Sequence, residues 1–114
     1  MSQISTHVLD LAQGKPAKDV PVRLERQEPS GEWRVLTSSQ TAADGRCAQL
    51  LPEIEVLRTG TYRLVFDTSS YFLAQKVQGL YPVVEITFQV QEGESHFHIP
   101  LLLSPHGYTT YRGS

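Results

Sequence analysis

Two histidine positions carry the first suggestion of chemistry in this 114-residue sequence. In Ile4-Ser5-Thr6-His7-Val8-Leu9-Asp10, Ile4 and Val8 define a core face with Thr6 between them. Strand alternation then puts Ser5, His7 and Leu9 on the opposite face, turned away from the core. In His96-Phe97-His98 the two histidines project together, while Phe97 and Ile99 pack inward. Neutral imidazole can take or give a proton near pH 7, so both sites suit acid–base work. On its own, an outward imidazole is also an ordinary solvated side chain. His96 and His98, joined by a third histidine, could make a zinc site with one open position for water. No nearby carboxylate completes a familiar metal motif, and the expectation is that no metal is held.

Arg46 follows the Asp44-Gly45 turn. A turn arginine is commonly a solubilising charge, and it becomes an anion holder only if it faces the same pocket as His7 and His98. Cys47 has no neighbouring motif that marks a nucleophilic thiolate and reads as a small packing residue. No Gly-x-Ser-x-Gly elbow is present, which disfavours a conventional serine hydrolase. The C-terminal end is unusual. Tyr108-Thr109-Thr110-Tyr111 is a good strand running almost to Ser114, which predicts a docked terminus where loose polar residues are common.

The elements that must position these groups repeat with period two. Residues 20–26 alternate through Val20, Val22 and Leu24. Residues 61–67 put Tyr62, Leu64 and Phe66 on one face, and residues 83–90 align Val84, Ile86, Phe88 and Val90. Turn residues bound each run: Gly14-Lys15-Pro16, Pro29-Ser30-Gly31, Asp44-Gly45, Arg58-Thr59-Gly60 and Glu92-Gly93. Short strands with regular turn signals predict an all-β sandwich or barrel of seven to eight strands. One short helix is expected over residues 69–78, with serines able to cap its start and Gly79 at its end. The length suits a single domain spanning residues 1–114.

Composition narrows the functional classes. Ten Lys and Arg against twelve Asp and Glu give a formal charge of −2, with no basic run to hold nucleic acid. The single cysteine excludes an intramolecular disulfide framework and fits a reducing compartment. Neither a signal peptide nor an apolar run long enough to span a bilayer is visible, so a cytoplasmic location without membrane contact is expected. Ile99, Leu101 and Leu103 share one face of their strand while Pro100 and Leu102 occupy the other. Apolar residues on both faces predict an oligomer.

Together these residues resemble the transthyretin-like 5-hydroxyisourate hydrolases across nearly the whole chain. The resemblance rests on Ser5-Thr6-His7-Val8-Leu9-Asp10, Gly14-Lys15-Pro16-Ala17 and Thr41-Ala42-Ala43-Asp44-Gly45-Arg46. It continues through Tyr71-Phe72, His98-Ile99-Pro100-Leu101-Leu102-Leu103-Ser104-Pro105 and the closing Tyr111-Arg112-Gly113-Ser114. It implies two four-stranded sheets with one short helix, and a homotetramer whose sites lie at the dimer–dimer interface. It implies hydrolysis of 5-hydroxyisourate to 2-oxo-4-hydroxy-4-carboxy-5-ureidoimidazoline in urate catabolism, without cofactor or metal. By the same resemblance His7, His98 and Arg46 are the catalytic residues, and Tyr111 and Ser114 join them in holding substrate. Which histidine is base and which acid stays open, as does whether Ser114 acts through hydroxyl or carboxylate. The hormone carrier transthyretin shares the fold but lacks the two histidines, the arginine and the Tyr-Arg-Gly-Ser ending. A carrier of small aromatic ligands and a plain sandwich interaction module are the rival readings.

Overall fold

The computed structural model describes residues 3–114. Nine strands and one helix follow in the order β1 (Gln3–Asp10), β2 (Lys15–Pro16), β3 (Pro21–Gln27), β4 (Trp33–Gln40), β5 (Arg46–Cys47), β6 (Gly60–Phe66), α1 (Thr68–Ala74), β7 (Val84–Val90), β8 (His96–Ser104) and β9 (Gly107–Thr110). They form two sheets, giving the expected all-β sandwich with one short helix. One sheet runs β4-β3-β6-β7 and is antiparallel throughout. The other runs β2-β1-β8-β9, and the two-residue β5 also pairs with β1. β1 and β8 are parallel over all eight residues of β1, from Gln3 opposite His96 to Asp10 opposite Leu103.

The period-two pattern decides what fills the space between the sheets. Phe97, Ile99, Leu101 and Leu103 on β8 are buried, as are Ile4 and Val8 on β1. They meet Val22, Leu24, Tyr62, Leu64, Phe66 and Val84 of the opposite sheet in one core cluster. Each such fully buried aliphatic side chain stabilises the fold by roughly 1.5–3 kcal/mol. The inward face of β1 also carries two polar groups, and both are satisfied. Thr6 Oγ1 donates to the Ile99 carbonyl at 2.6 Å. Asp10, 1% exposed, accepts from the Tyr71 hydroxyl at 2.7 Å and from the Gln13 backbone N–H at 3.0 Å.

The Asp10–Tyr71 bond ties the helix to the strand that bears His7. Burial, reinforced by the Asp10 carboxylate, pushes the Tyr71 phenol up to about 12. Tyr71→Phe removes one donor from a buried carboxylate and is expected to cost about 1–3 kcal/mol. Urea unfolding measures this directly, and a loss below about 0.5 kcal/mol would contradict the bond's role.

Two sequence expectations need correction. The helix covers Thr68–Ala74, shorter than 69–78, and its cap is Asp67, whose Oδ1 accepts from Ser70 N at 3.0 Å. The Ser70 hydroxyl, with the Ser70 N–H and Ser69 hydroxyl behind it, holds the Asp67 carboxyl below its usual range. Gly79 does not end the helix. Lys76 turns the chain with φ 59°, and Gly79 is small because the Phe72 ring lies 2.8 Å from where its Cβ would be. β4 was not foreseen as a strand, because it is an edge strand whose exposed and half-buried residues show weak alternation. No helix among the described residues is long and apolar enough to cross a membrane.

Candidate functional site

The outer face of the β5-β1-β8 strip brings three predicted residues together. Ser5 and His7 project from β1 on the face opposite Ile4, Thr6 and Val8, which are almost fully buried. The parallel register sets His98 directly beside Ser5, and the antiparallel pairing of β5 sets Arg46 directly beside His7. His7 and His98 are half-buried, and Arg46 is exposed. Inward parity of Phe97 and Ile99 keeps His98 outward, as alternation predicts.

Each group is held by a specific contact. His98 Nδ1 lies 2.9 Å from the Ser5 Oγ, and His7 Nε2 lies 2.9 Å from the Asp44 carbonyl oxygen. Arg46 is presented by a tight turn. Gly45 N donates to the Ala42 carbonyl at 2.8 Å and Arg46 N donates to Asp44 Oδ1 at 3.0 Å. Gly45 has φ 79°, and a Cβ there would lie 2.4 Å from the Val8 carbonyl oxygen. Only glycine lets this turn press against β1 while it accepts the Val8 N–H at 2.8 Å.

The electrostatics favour a neutral His98. Burial is the largest influence lowering its pKa, followed by Arg46, His7 and His96. All four disfavour the imidazolium. A neutral imidazole near a guanidinium is a site that can exchange protons and stabilise developing negative charge.

The C-terminal segment departs from the expected continuous strand. β9 stops at Thr110, Tyr111 and Arg112 leave the ladder, and the chain re-pairs at Gly113 with His98. Gly113 N donates to the His98 carbonyl at 2.7 Å. Arg112 holds this return: Nη1 bonds Glu94 at 2.9 Å, Nη2 donates to the His96 carbonyl at 3.2 Å, and the guanidinium lies 4.4 Å from the Phe97 ring centre. Ser114 therefore follows immediately on a residue bridged to His98. Tyr111 goes elsewhere. It lines a cleft of about 270 Å³ with Ile86, Phe88, Phe97 and Ile99, at the edge between the sheets.

The remaining candidates separate from this cluster. His96 is exposed at the start of β8. Among the described residues no three His, Cys, Asp or Glu side chains converge as a metal site. Cys47 points inward, is 8% exposed and approaches Ser39 Oγ at 3.5 Å, so it packs between the sheets. Sequence reasoning missed Ser5 and Glu94 as parts of this site. Ser5 was findable as the i−2 neighbour of His7 on the same face, whereas Glu94 had no signal short of the tertiary pairing with Arg112.

Comparison with known proteins follows the same lines. A family model described as the HIUase/Transthyretin family matches residues 4–113. A 5-hydroxyisourate hydrolase of Mus musculus is 46% identical, over 99% of this chain and 96% of that protein. The solved 5-hydroxyisourate hydrolase of Klebsiella pneumoniae superposes with TM-score 0.86 at 37% identity, covering 100% of both chains. Transthyretin from Sparus aurata superposes with TM-score 0.91 at 31% identity, covering 99% of this chain and 97% of that one. Backbone shape thus fits hydrolase and transthyretin alike.

Proposed function

The chain belongs to the HIUase/transthyretin family, and from that premise we propose that it is the enzyme of the family, a hydrolase that opens the ring of 5-hydroxyisourate in urate catabolism. The observation that carries this reading is the meeting of Arg46, His7 and His98 on one outer sheet face. A carrier needs a lined channel but no acid–base pair. The full-length similarity to proteins named as 5-hydroxyisourate hydrolases supports the same choice.

The reaction is hydrolysis of an activated cyclic amide. It requires a nucleophilic water, stabilisation of charge on the carbonyl oxygen and a proton for the departing ring nitrogen. His7 and His98 supply the acid–base and hydrogen-bonding groups of this step. Arg46 orients the substrate and stabilises the oxyanion, while Tyr111 and Ser114 help hold substrate. The product is 2-oxo-4-hydroxy-4-carboxy-5-ureidoimidazoline. The protein works as one domain in the cytoplasm.

The active form in this reading is a homotetramer with its sites at the dimer–dimer interface. Within one chain the His7–His98 face is an open sheet surface. β7 and β9 both end their sheets with free edges, which favours edge pairing between copies. A second copy facing the patch would exclude water from it. The test is to generate 5-hydroxyisourate with urate oxidase and follow its ultraviolet decay with and without this protein. Acceleration well above the uncatalysed decay is expected. No acceleration, with tight binding of aromatic ligands, would replace the hydrolase by a carrier.

A further inference from the structure

The two imidazoles of the site are held by different kinds of partner, and the difference assigns their protons. The partner of His7 Nε2 is the Asp44 carbonyl oxygen, which can only accept. Nε2 of His7 therefore carries the hydrogen, and Nδ1 keeps the lone pair. The partner of His98 Nδ1 is the Ser5 hydroxyl, which can donate or accept. Ser5 is 9% exposed, and among the described residues its Oγ has that single hydrogen-bond partner. If the oxygen accepted from Nδ1–H, its own hydrogen would be buried without an acceptor. If it donates, only oxygen lone pairs go unused, and that is the smaller cost.

We propose that Ser5 is a positioning residue for the hydrolysis: its hydroxyl donates to Nδ1 of His98 and keeps the His98 proton on Nε2, which makes neutral His98 a hydrogen-bond donor and leaves Nδ1 of His7 as the base of the pair. This rests on the hydrolase reading above. The step then balances as follows. A water oxygen bonds to the ring carbonyl carbon while Nδ1 of His7 takes one of its protons. The carbonyl electron pair moves to oxygen, where Arg46 and the Nε2–H of His98 stabilise it. The oxyanion re-forms the carbonyl, the carbon–nitrogen bond breaks, and the ring nitrogen takes the proton from His7. The resulting imidazolium is stabilised in the interim by its Nε2–H bond to the Asp44 carbonyl, the orienting role a carboxylate plays in hydrolytic triads.

A neutral His98 also agrees with its surroundings. Arg46 from β5, His7 from β1 and His96 from its own strand all face it, and each disfavours a second positive charge. Around His7 the charged neighbours are Arg46, opposite it in the register, and Asp44, whose carboxylate lies 4.0 Å from Arg46 Nε. With both histidines required neutral, kcat/KM should rise from acid pH and then stay level. An imidazolium acid at His98 would instead produce a bell.

Three measurements test this. Nitrogen NMR of the free protein should show His98 with Nδ1 unprotonated and Nε2 protonated. Ser5→Ala should lower kcat about tenfold with KM nearly unchanged, since one hydrogen bond to the working imidazole is lost. It should also move the acid limb of the pH profile upward, because the lost donor had favoured neutral His98. Ser5→Thr, which keeps the hydroxyl, should restore rate and profile. A protonated Nδ1 in a fully active wild-type protein, a bell-shaped profile, or a Ser5→Ala enzyme with unchanged kcat and acid limb would overturn the assignment. A wild-type protein that does not accelerate hydroxyisourate decay would overturn the hydrolase reading itself, and the NMR measurement separates the two failures.

Discussion

Replacing His7 or His98 by asparagine is expected to lower turnover of 5-hydroxyisourate by about 100-fold or more, the scale of a positioned base or of an oxyanion donor. Both side chains lie on the outer face of their sheet, opposite the buried Thr6, Val8, Phe97 and Ile99. Truncating either imidazole leaves the core contacts in place, so the loss should be chemical and not structural. His7→Asn removes the proposed base and should be the more damaging change. His98→Asn keeps a polar group beside Ser5 but no longer presents an imidazole Nε2–H to the oxyanion. Steady-state rates beside thermal unfolding check this. Near-normal turnover in both variants, with melting unchanged, would remove these histidines from the mechanism.

The second large effect is expected at Gly113. A Cβ there would lie 2.6 Å from His98 Cδ2, 3.2 Å from the His98 carbonyl oxygen and 3.2 Å from Pro100 Cγ. The neighbours are the His98 ring, its own backbone and a proline, so nothing nearby can yield cheaply. Gly113→Ala must therefore either lift the tail off β8 or rotate the His98 ring away from Ser5. Misplacement of about 1 Å in a catalytic group costs on the order of 100-fold, and a loss of that order is expected here. The core does not include residue 113, so unfolding temperature should change little. Retained activity in Gly113→Ala would mean the tail has no working contact with His98. Arg112 and Glu94, which anchor the same segment by a 2.9 Å ion pair, supply a milder perturbation of it. That pair is exposed, and its value is in direction more than in stability.

Much of the architecture was legible residue by residue. Val22 and Leu24, Tyr62, Leu64 and Phe66, and Phe97, Ile99, Leu101 and Leu103 recur at every second position, and each of these inward residues is buried. The outward placement of His7 and His98 followed from the same parity. β4 escaped because an edge strand needs only one partner and one covered face, which weakens its pattern. The helix end was misplaced because Gly79 looks like a terminal glycine. Its real constraint is the Phe72 ring, a tertiary contact. The tail was read as a continuous strand, but Arg112 is drawn to Glu94 and the ladder resumes only at Gly113.

The closing Tyr111-Arg112-Gly113-Ser114 shows where the division falls. By itself the sequence determined an all-β fold, the inward faces of its core strands and the resemblance to the family, because alternation and local motifs are properties of neighbours in the chain. Only the tertiary structure decided that Ser5 lies beside His98, Arg46 beside His7, and Gly113 against the His98 ring. These pairs are 93, 39 and 15 residues apart by their numbering, and their meeting depends on the register of parallel β1 and β8 and on the two-residue β5. Register is set by how many side chains must interlock across the core at once, a sum over the whole domain that no local pattern contains.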